Sequence, residues 1–399
     1  MNILMVTTNF PRWAKDSRAP FILGLAKSLA SKGNQVRVLS MHNPGASLQE
    51  ELEGVSVRRV RYAADRNETL QKDAAGIPSA WKHGLKSKFL LGWFSLKMWQ
   101  QLLITSPRAQ IIHAHWALSA AIVRLASFNQ RTPYVVTVHG SDIYKTTSNP
   151  LLRAVVRYGL RGAHKIIAVG KDLAASVIQL GIDPGRVAVV HTGITLEDFP
   201  MNPSADRREQ ILFVGSLIPR KGVNFLIEAM AEIYEHWPAY QLLIVGEGEE
   251  EGKLRALTSK LNLEDHVHFL GNQSQAEVSQ LMRESKLFVL PSVEEGQGVV
   301  LVEAMASGTP CVASAVGGIP DVIAGVGCLV QPGSCADLSR GIGSLLVDDQ
   351  LWQRYQNAGR KRVEEAFSWD VLSESILKIY QEALGKQLLP ESRQPEPPL

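Results

Sequence analysis

Eleven short apolar runs, most of them separated by longer segments of helical pattern, restrict this chain more than any other feature. NILMVTT, QVRVLSM, IIHAHW, YVVTVHG, KIIAVG and VAVVHTG form a first series. ILFVGS, QLLIVGEG, VHFLG, LFVLPS and PCVASAV form a second that begins at residue 211. Apolar runs of strand length that alternate with helices read as strands buried on both faces of parallel α/β sheets. The charged, proline-bearing stretch FPMNPSADRRE (199–209) between the two series has the composition of a linker. The pattern therefore predicts two Rossmann-like parallel-sheet domains, 1–198 and 199–368, facing across a cleft. A helix over 369–386 is expected to pack back towards the first domain, and the polar, proline-rich tail 387–399 to be disordered.

The 399 residues suffice for two such cores, and 45% hydrophobic with 20% charged residues excludes a disordered chain. The three cysteines, Cys311, Cys328 and Cys335, form no CxxC pair, which favours buried thiols in a reduced cytosol over disulfides or a metal knuckle. MNILMVTT lacks the basic and apolar regions of an export signal, and no run has the length of a membrane span, so a cytoplasmic protein is expected. The net charge of +3 conceals an asymmetry: residues 1–199 carry 25 Lys+Arg against 12 Asp+Glu, and the remainder 17 against 27, giving +13 and −10. No acid falls between Asp73 and Asp142, where Lys82, Lys86, Lys88, Lys97, Arg108, Arg124 and Arg131 stand. A basic half attracts something anionic: a membrane, a nucleic acid or a phosphorylated substrate. No nucleic-acid reader motif accompanies the charge, so nucleic acid is not expected as a partner.

The chemistry concentrates in PSVEEGQGVVLVEAMASGTPCVASAVGGIPDV (291–322), which reads strand end, loop, helix, strand. Ligands of doubly wound sheets bind beyond the carboxyl ends of the strands, where such loops lie. Gly296 and Gly298 let a ligand approach the main chain, and the amides of Val299 and Val300 would open a helix N-terminus that favours phosphate. Glu303, one turn further on, suits sugar hydroxyls such as a ribose diol better than a phosphate, and Glu295 would meet the far end of the ligand. Either glutamate alone would read as a solvated surface residue; the glycines and the strand–loop–helix context favour a site. GSLIPRKGVNFLIEA (215–229) places Arg220 and Lys221 in a second such loop, with the charge to offset a diphosphate. IVGEGEE (244–250) is weaker by itself.

GSLIPRKG, IVGEGE, VHFLG and the E-x7-E pair Glu295/Glu303, together with NFPRWAKDSRAPFILGLAKSLASKGNQVRVLS and IHAHW…TPYVVTVHGSDI, resemble the GT-B glycosyltransferases of family 4 over most of the chain. The resemblance implies a retaining transferase. It would move a sugar from a UDP- or GDP-sugar co-substrate, without a cofactor, to an acceptor hydroxyl. The first domain would bind the acceptor and the second the nucleotide sugar. It implies donor diphosphate on Arg220 and Lys221, ribose on Glu303 and donor-sugar hydroxyls on Glu295. The backbone of Gly296, Gln297, Gly298, Val299 and Val300 would surround sugar and phosphates, with Gly246 in the adjoining turn and Asn272 at the nucleobase. His139 would lie near the reacting sugar, with Asp142 a candidate on the acceptor side.

Three departures stand out. Gln297 occupies a position that is aromatic in many members, Ser216 replaces an arginine, and the N-terminal glycine pair gives way to RWAKDSRAP. That segment brings Arg12, Lys15 and Arg18 as candidates for donor phosphate or a charged acceptor.

A front-face reaction, in which the leaving diphosphate helps deprotonate the incoming hydroxyl, is inherited from the resemblance. No DxD element appears in a suitable context, so no metal is expected and activity should survive EDTA. His113 and His115 of IIHAHW read as strand-end packing rather than metal ligands. SAWKHGLKSKFLLGWFSLKMWQQLL (79–103), basic and rich in tryptophan, reads as a helix for an anionic bilayer surface or as a core helix. The absence of acids tips it towards the membrane and towards a lipid-linked acceptor in cell-surface polysaccharide synthesis. The alternatives are a catalytically inactive two-lobed sugar-nucleotide binder acting as scaffold or regulator, and an exported binding protein, which would leave E-x7-E unexplained.

Overall fold

The computed structural model describes residues 1–14, 16, 18–70, 84–127, 132–144, 149–201 and 207–385. Lys15, Trp81, Lys82, Arg131 and the tail 387–399 lie outside the described residues. The first apolar series forms β1 (Asn2–Thr7), β2 (Gln35–Met41), β5 (Ile111–His115), β6 (Tyr134–Val138), β7 (Lys165–Ala168) and β8 (Val187–Val189). With β3 (Gln49–Leu52) and β4 (Val55–Val60) they make an eight-stranded sheet of order β3-β4-β2-β1-β5-β6-β7-β8. The second series forms β9 (Arg208–Val214), β10 (Gln241–Val245), β11 (Val267–Gly271), β12 (Ser285–Leu290) and β13 (Cys311–Ser314). β14 (Cys328–Val330) completes a six-stranded sheet of order β11-β10-β9-β12-β13-β14. The architecture is thus two parallel-sheet α/β domains, as the pattern predicts. Among the described residues, the β3–β4 hairpin at one edge is the antiparallel pair. Its strands, QEEL and VSVRRV, alternate or are polar because one face meets water, so a search for continuous apolar runs passes over them.

Each sheet has its switch point beside its first strand. β1 lies between β2 and β5, with Val6 opposite both Leu39 and Ala114. β9 lies between β10 and β12, with Leu212 opposite both Leu243 and Phe288. Loops that leave neighbouring strands in opposite directions open a crevice at such points. The three cysteines are unpaired, and Cys311 is buried.

The chain crosses between the lobes twice, and the two crossings hold each other. Ile194 N–H donates to the Phe367 carbonyl (3.0 Å), and Trp369 N–H donates to the Ile194 carbonyl (3.1 Å). Ser368 caps the helix Trp369–Ala383 through the Val371 amide. That helix lies on the first lobe, where Trp369, Leu372, Ile376, Ile379 and Tyr380 share a core with Ile3, Met5, Ile22 and Leu29. Ser28 Oγ donates to the Trp369 carbonyl (3.0 Å), and the Tyr380 hydroxyl meets His113 Nδ1 at 2.6 Å. The last helix therefore stabilises a domain from which the whole second sheet separates it in the chain. Ile376→Ala removes a buried side chain from this seam and should lower stability by ~3 kcal/mol in urea unfolding followed by far-UV circular dichroism.

Candidate functional site

The two loops at the switch point of the second sheet are fastened by main chain. Gly222 has φ 63°, and a Cβ there would land on the Pro291 carbonyl oxygen. Val293 N–H and Glu294 N–H both donate to the Arg220 carbonyl (2.8 and 3.3 Å). This fastening brings Lys221 Nζ onto Glu295 Oε2 as an ion pair, both side chains only slightly exposed. Gly296 N–H (3.1 Å) and Ser292 Oγ (3.4 Å) also donate to the Glu295 carboxylate. Burial by itself would raise the Glu295 carboxyl; Lys221, helped by Arg220, reverses this and holds it below its ordinary range. Arg220 reaches the Glu294 carbonyl at 3.4 Å, and its Nε is buried without a partner. Gly246, at φ 126°, is required sterically, because a Cβ would strike the Gly215 carbonyl of the neighbouring loop.

Gly298 (φ 78°) turns the chain into the helix Val299–Ala306, whose first amides belong to Val299 and Val300. Glu303 lies on the side of this helix that faces a cavity of about 120 Å3 between the lobes. Val299, Asp198 and Gln275 line it from one side, and Asp16, Phe21 and the Lys27–Glu53 ion pair from the other. Burial, and secondarily the charge of Asp198, raise the Glu303 carboxyl to about 7. Asp198 is itself raised by burial and accepts from Gln275 Nε2 at 3.3 Å.

Across the crevice, His139 follows the end of β6. Its ring stacks on His115 (centroids 5.5 Å, 23°), and Nε2 lies 3.2 Å from His115 Nδ1. Trp116 and Phe21 enclose it at 4.8 and 5.2 Å. Burial lowers His139 to about 3 and, helped by the charge of His139, His113 to about 3, so both are neutral at physiological pH. The His139 turn meets the donor-side loop directly: a Cβ on Gly296 would lie 2.9 Å from the His139 carbonyl oxygen.

Other expected residues take different places. Asp142 is engaged within the first lobe, its carboxylate oxygens accepting from the amides of Ala117 (2.9 Å) and His139 (3.1 Å). Gln297 is engaged through its side chain, which leaves the expectation for its main chain untouched. Its side chain is 3% exposed and spans the lobes, accepting from Thr192 N–H (2.6 Å) and donating to the Thr192 carbonyl (2.9 Å). Arg12 is held by Asp16 through Nε (2.8 Å) and Nη2 (2.9 Å) and stacks on Trp13, while Arg18 donates to Asn43 (3.0 Å). Asn272 is exposed just beyond β11. His113 packs as expected, between Tyr380 and Thr137 (2.7 Å).

The sequence reading missed Asp198 and Gln275, which share the Glu303 cavity, and the second lobe contact, from Lys171 to Asp321 (3.0 Å). Their residue types carry no signal until the lobes are assembled. Among the described residues one trio, His42, Asp65 and Glu68, brings potential metal-ligand atoms within 4.8 Å of one another. Its members are already engaged: His42 with Glu68 (2.5 Å) and the Ala46 carbonyl (2.9 Å), Asp65 with Arg61 (2.6 Å).

The raised Glu303 value fixes a sign. The native state keeps a proton that the unfolded chain, near 4.5, releases, so this group lowers wild-type stability as pH rises from 4.5 through 7. Glu303→Gln should therefore gain on wild type between pH 5 and pH 8 by on the order of 2 kcal/mol, read from denaturation midpoints at each pH.

Comparison with known proteins agrees with this geometry. Residues 19–193 match the family model of the glycosyl transferase 4-like domain, and 195–362 that of the glycosyl transferases group 1. A phosphatidyl-myo-inositol mannosyltransferase of Mycobacterium leprae is 30% identical over 90% of this chain and 91% of its own. A D-inositol 3-phosphate glycosyltransferase of Mycobacteroides abscessus is 31% identical over 70% of this chain and 68% of its own. The solved structure of HepE from Anabaena in complex with UDP-glucose superposes with a TM-score of 0.75 at 21% identity, covering 96% of this chain and 100% of that one. Two matched domain families in this order, on two facing parallel sheets, make the chain a member of the GT-B glycosyltransferases of the family 4 type.

Proposed function

We propose that the protein transfers a sugar, with retention of anomeric configuration, from a nucleotide-diphosphate sugar to an acceptor presented at a membrane surface. The observation that carries the donor side is the convergence of Lys221, Glu295 and the Val299–Ala306 helix start at one switch point, against the His139 turn of the other lobe. In this reading the donor diphosphate takes Lys221 from Glu295 and sits over the amides of Val299 and Val300 with Arg220 beside it. Glu295, released from its ion pair, accepts hydroxyls of the donor sugar. Glu303 accepts from the ribose, and Asn272 borders the base. Neutral His139 lies beside the sugar without adding a second cation to compete with the developing oxocarbenium charge. The chain supplies position and fixed charge, and the departing phosphate oxygen takes the proton of the acceptor hydroxyl. No metal is required. HepE, solved with UDP-glucose in this fold, supports a UDP-sugar first among donors.

The acceptor side rests on the helix Leu85–Thr105. Leu90, Leu91, Phe94, Met98 and Leu102 bury one face on the first sheet. The opposite face exposes Leu85, Phe89, Trp93, Leu96 and Ile104, with Phe89 71% exposed. Lys97 lies 4.9 Å from the Trp93 ring, at the border of this stripe. One face of this segment thus packs as a core helix, and the exposed face supports the membrane reading. Exposed apolar residues bordered by lysines suit the surface of an anionic bilayer. One relative is by name a phosphatidyl-myo-inositol mannosyltransferase, which favours a lipid-bearing acceptor. No helix among the described residues is long and apolar enough to cross a membrane.

A panel of UDP-, GDP- and ADP-sugars, followed by mass spectrometry for donor hydrolysis with and without EDTA, tests the chemistry. Arg220→Ala and Lys221→Ala should each cut turnover by about a hundredfold or more with the fold intact. Near-normal rates in both would overturn the donor assignment. Phe89→Glu with Trp93→Glu should abolish flotation with anionic liposomes while leaving donor hydrolysis unchanged.

A further inference from the structure

An unassigned hollow lies away from the sugar crevice, at the amino-terminal edge of the first sheet. It encloses about 640 Å3 among β2, β3, β4 and the end of the Leu85–Thr105 helix. Three arginines line it: Arg37 from β2, Arg58 from β4, and Arg108 just before β5. Their placement follows from register. Arg37 is opposite Ser56 across the β2–β4 ladder, so Ser56 and Arg58 point to the face that Arg37 occupies. Arg108 approaches from the connection between helix and strand.

Arginines at a surface usually meet carboxylates. Here no acidic side chain among the described residues forms an ion pair with Arg37 or Arg108. Arg58 faces the Gln49 amide, whose oxygen, with the amide turned to satisfy both groups, accepts from its Nε (3.2 Å) and Nη2 (3.1 Å). Of the acids lining the hollow, Glu50 is taken by Arg59 (2.5 Å), and Glu51 offsets one of the three charges. Arg37 is half-buried, and both burial and the neighbouring charge of Arg108 depress it. Like charges brought together in a recess are relieved by an anion that both can grip, and a guanidinium fork matches phosphate geometry.

The occupant follows from what borders the hollow. Ile104, 64% exposed, belongs both to its lining and to the apolar stripe that begins at Leu85. An anion seated here is therefore flanked by a surface built for hydrocarbon. We propose that Arg37 and Arg108, with Arg58 beside them, bind the phosphate of an anionic lipid headgroup and set the height and rotation of the first lobe on the bilayer. The proposal rests on the membrane reading of the helix and adds to it a headgroup site.

Flotation of the full chain with phosphatidylglycerol-containing and with pure phosphatidylcholine vesicles tests it. For the site to hold, Arg37→Gln/Arg108→Gln must bind the anionic vesicles more weakly, by roughly fivefold for each arginine removed. Its residual binding to neutral vesicles, its thermal transition and its donor hydrolysis in solution should match wild type. Equal flotation of wild type and double variant on anionic vesicles would overturn the headgroup site and leave the helix reading standing. Failure of wild type to float at low salt would overturn both. Calorimetry with inorganic phosphate and with glycerol phosphate separates the sources. Saturation of the site by either at concentrations that leave vesicle binding intact would overturn the lipid as its ligand.

Discussion

The site depends on a contact of main chain with main chain. The 295–298 loop runs between backbone segments so closely that side chains cannot be accommodated. A Cβ on Gly317 would land on the Glu295 carbonyl oxygen, and one on Gly318 on the Gly296 carbonyl oxygen. On the other lobe, a Cβ on Gly140 would lie 3.3 Å from the Gly296 Cα, and one on Gly170 3.3 Å from the Gly296 carbonyl oxygen. Backbones at this separation are held by shape, since even a methyl group must displace an oxygen. From this threading follow the direction of Glu295 towards Lys221 and the approach of His139 to the same loop. It also places Gln297 on Thr192.

Charge is divided between the two sides of the crevice. The second lobe contributes Lys221, Arg220 and Glu295, with a carboxylate held below its ordinary range by the cations around it. The first lobe contributes histidines driven to their neutral form by burial. Between them, Glu303 sits near half-protonation because Asp198 and burial act in the same direction. In the proposed reaction an anionic donor would meet cations on one side and uncharged rings on the other, an arrangement suited to positive charge building on a sugar between them.

Legibility varied with the range of the interactions. The positions of Arg220, Lys221, Glu295, Gly298 and Glu303 at two loop–helix turns were readable because they arise within single strand–loop–helix units, where spacing fixes direction. The side-chain partners of Asp142 and Gln297 were not readable, for the opposite reason. A carboxylate that caps buried amides and an amide that bridges two lobes have the same one-dimensional appearance as ligand contacts. What separates them is a partner distant in sequence, such as Thr192 for Gln297, 105 positions away. The β3–β4 hairpin escaped because one of its faces is wet, which removes the continuous apolar run.

Periodicity and the placement of glycine determined, by themselves, that this chain forms two parallel sheets, and which loops lie at their carboxyl ends. Those are consequences of local sterics and of burial on both sheet faces. Tertiary structure decided which polar groups remain available. Only the folded chain could commit Gln297 to Thr192, pair Lys221 with Glu295, draw Asp198 towards Glu303, and leave Arg37 and Arg108 together without an ion-paired carboxylate among the described residues. Hydrogen bonds and charges act over a few ångströms in space, and positions so close in space stand a hundred residues apart along the chain.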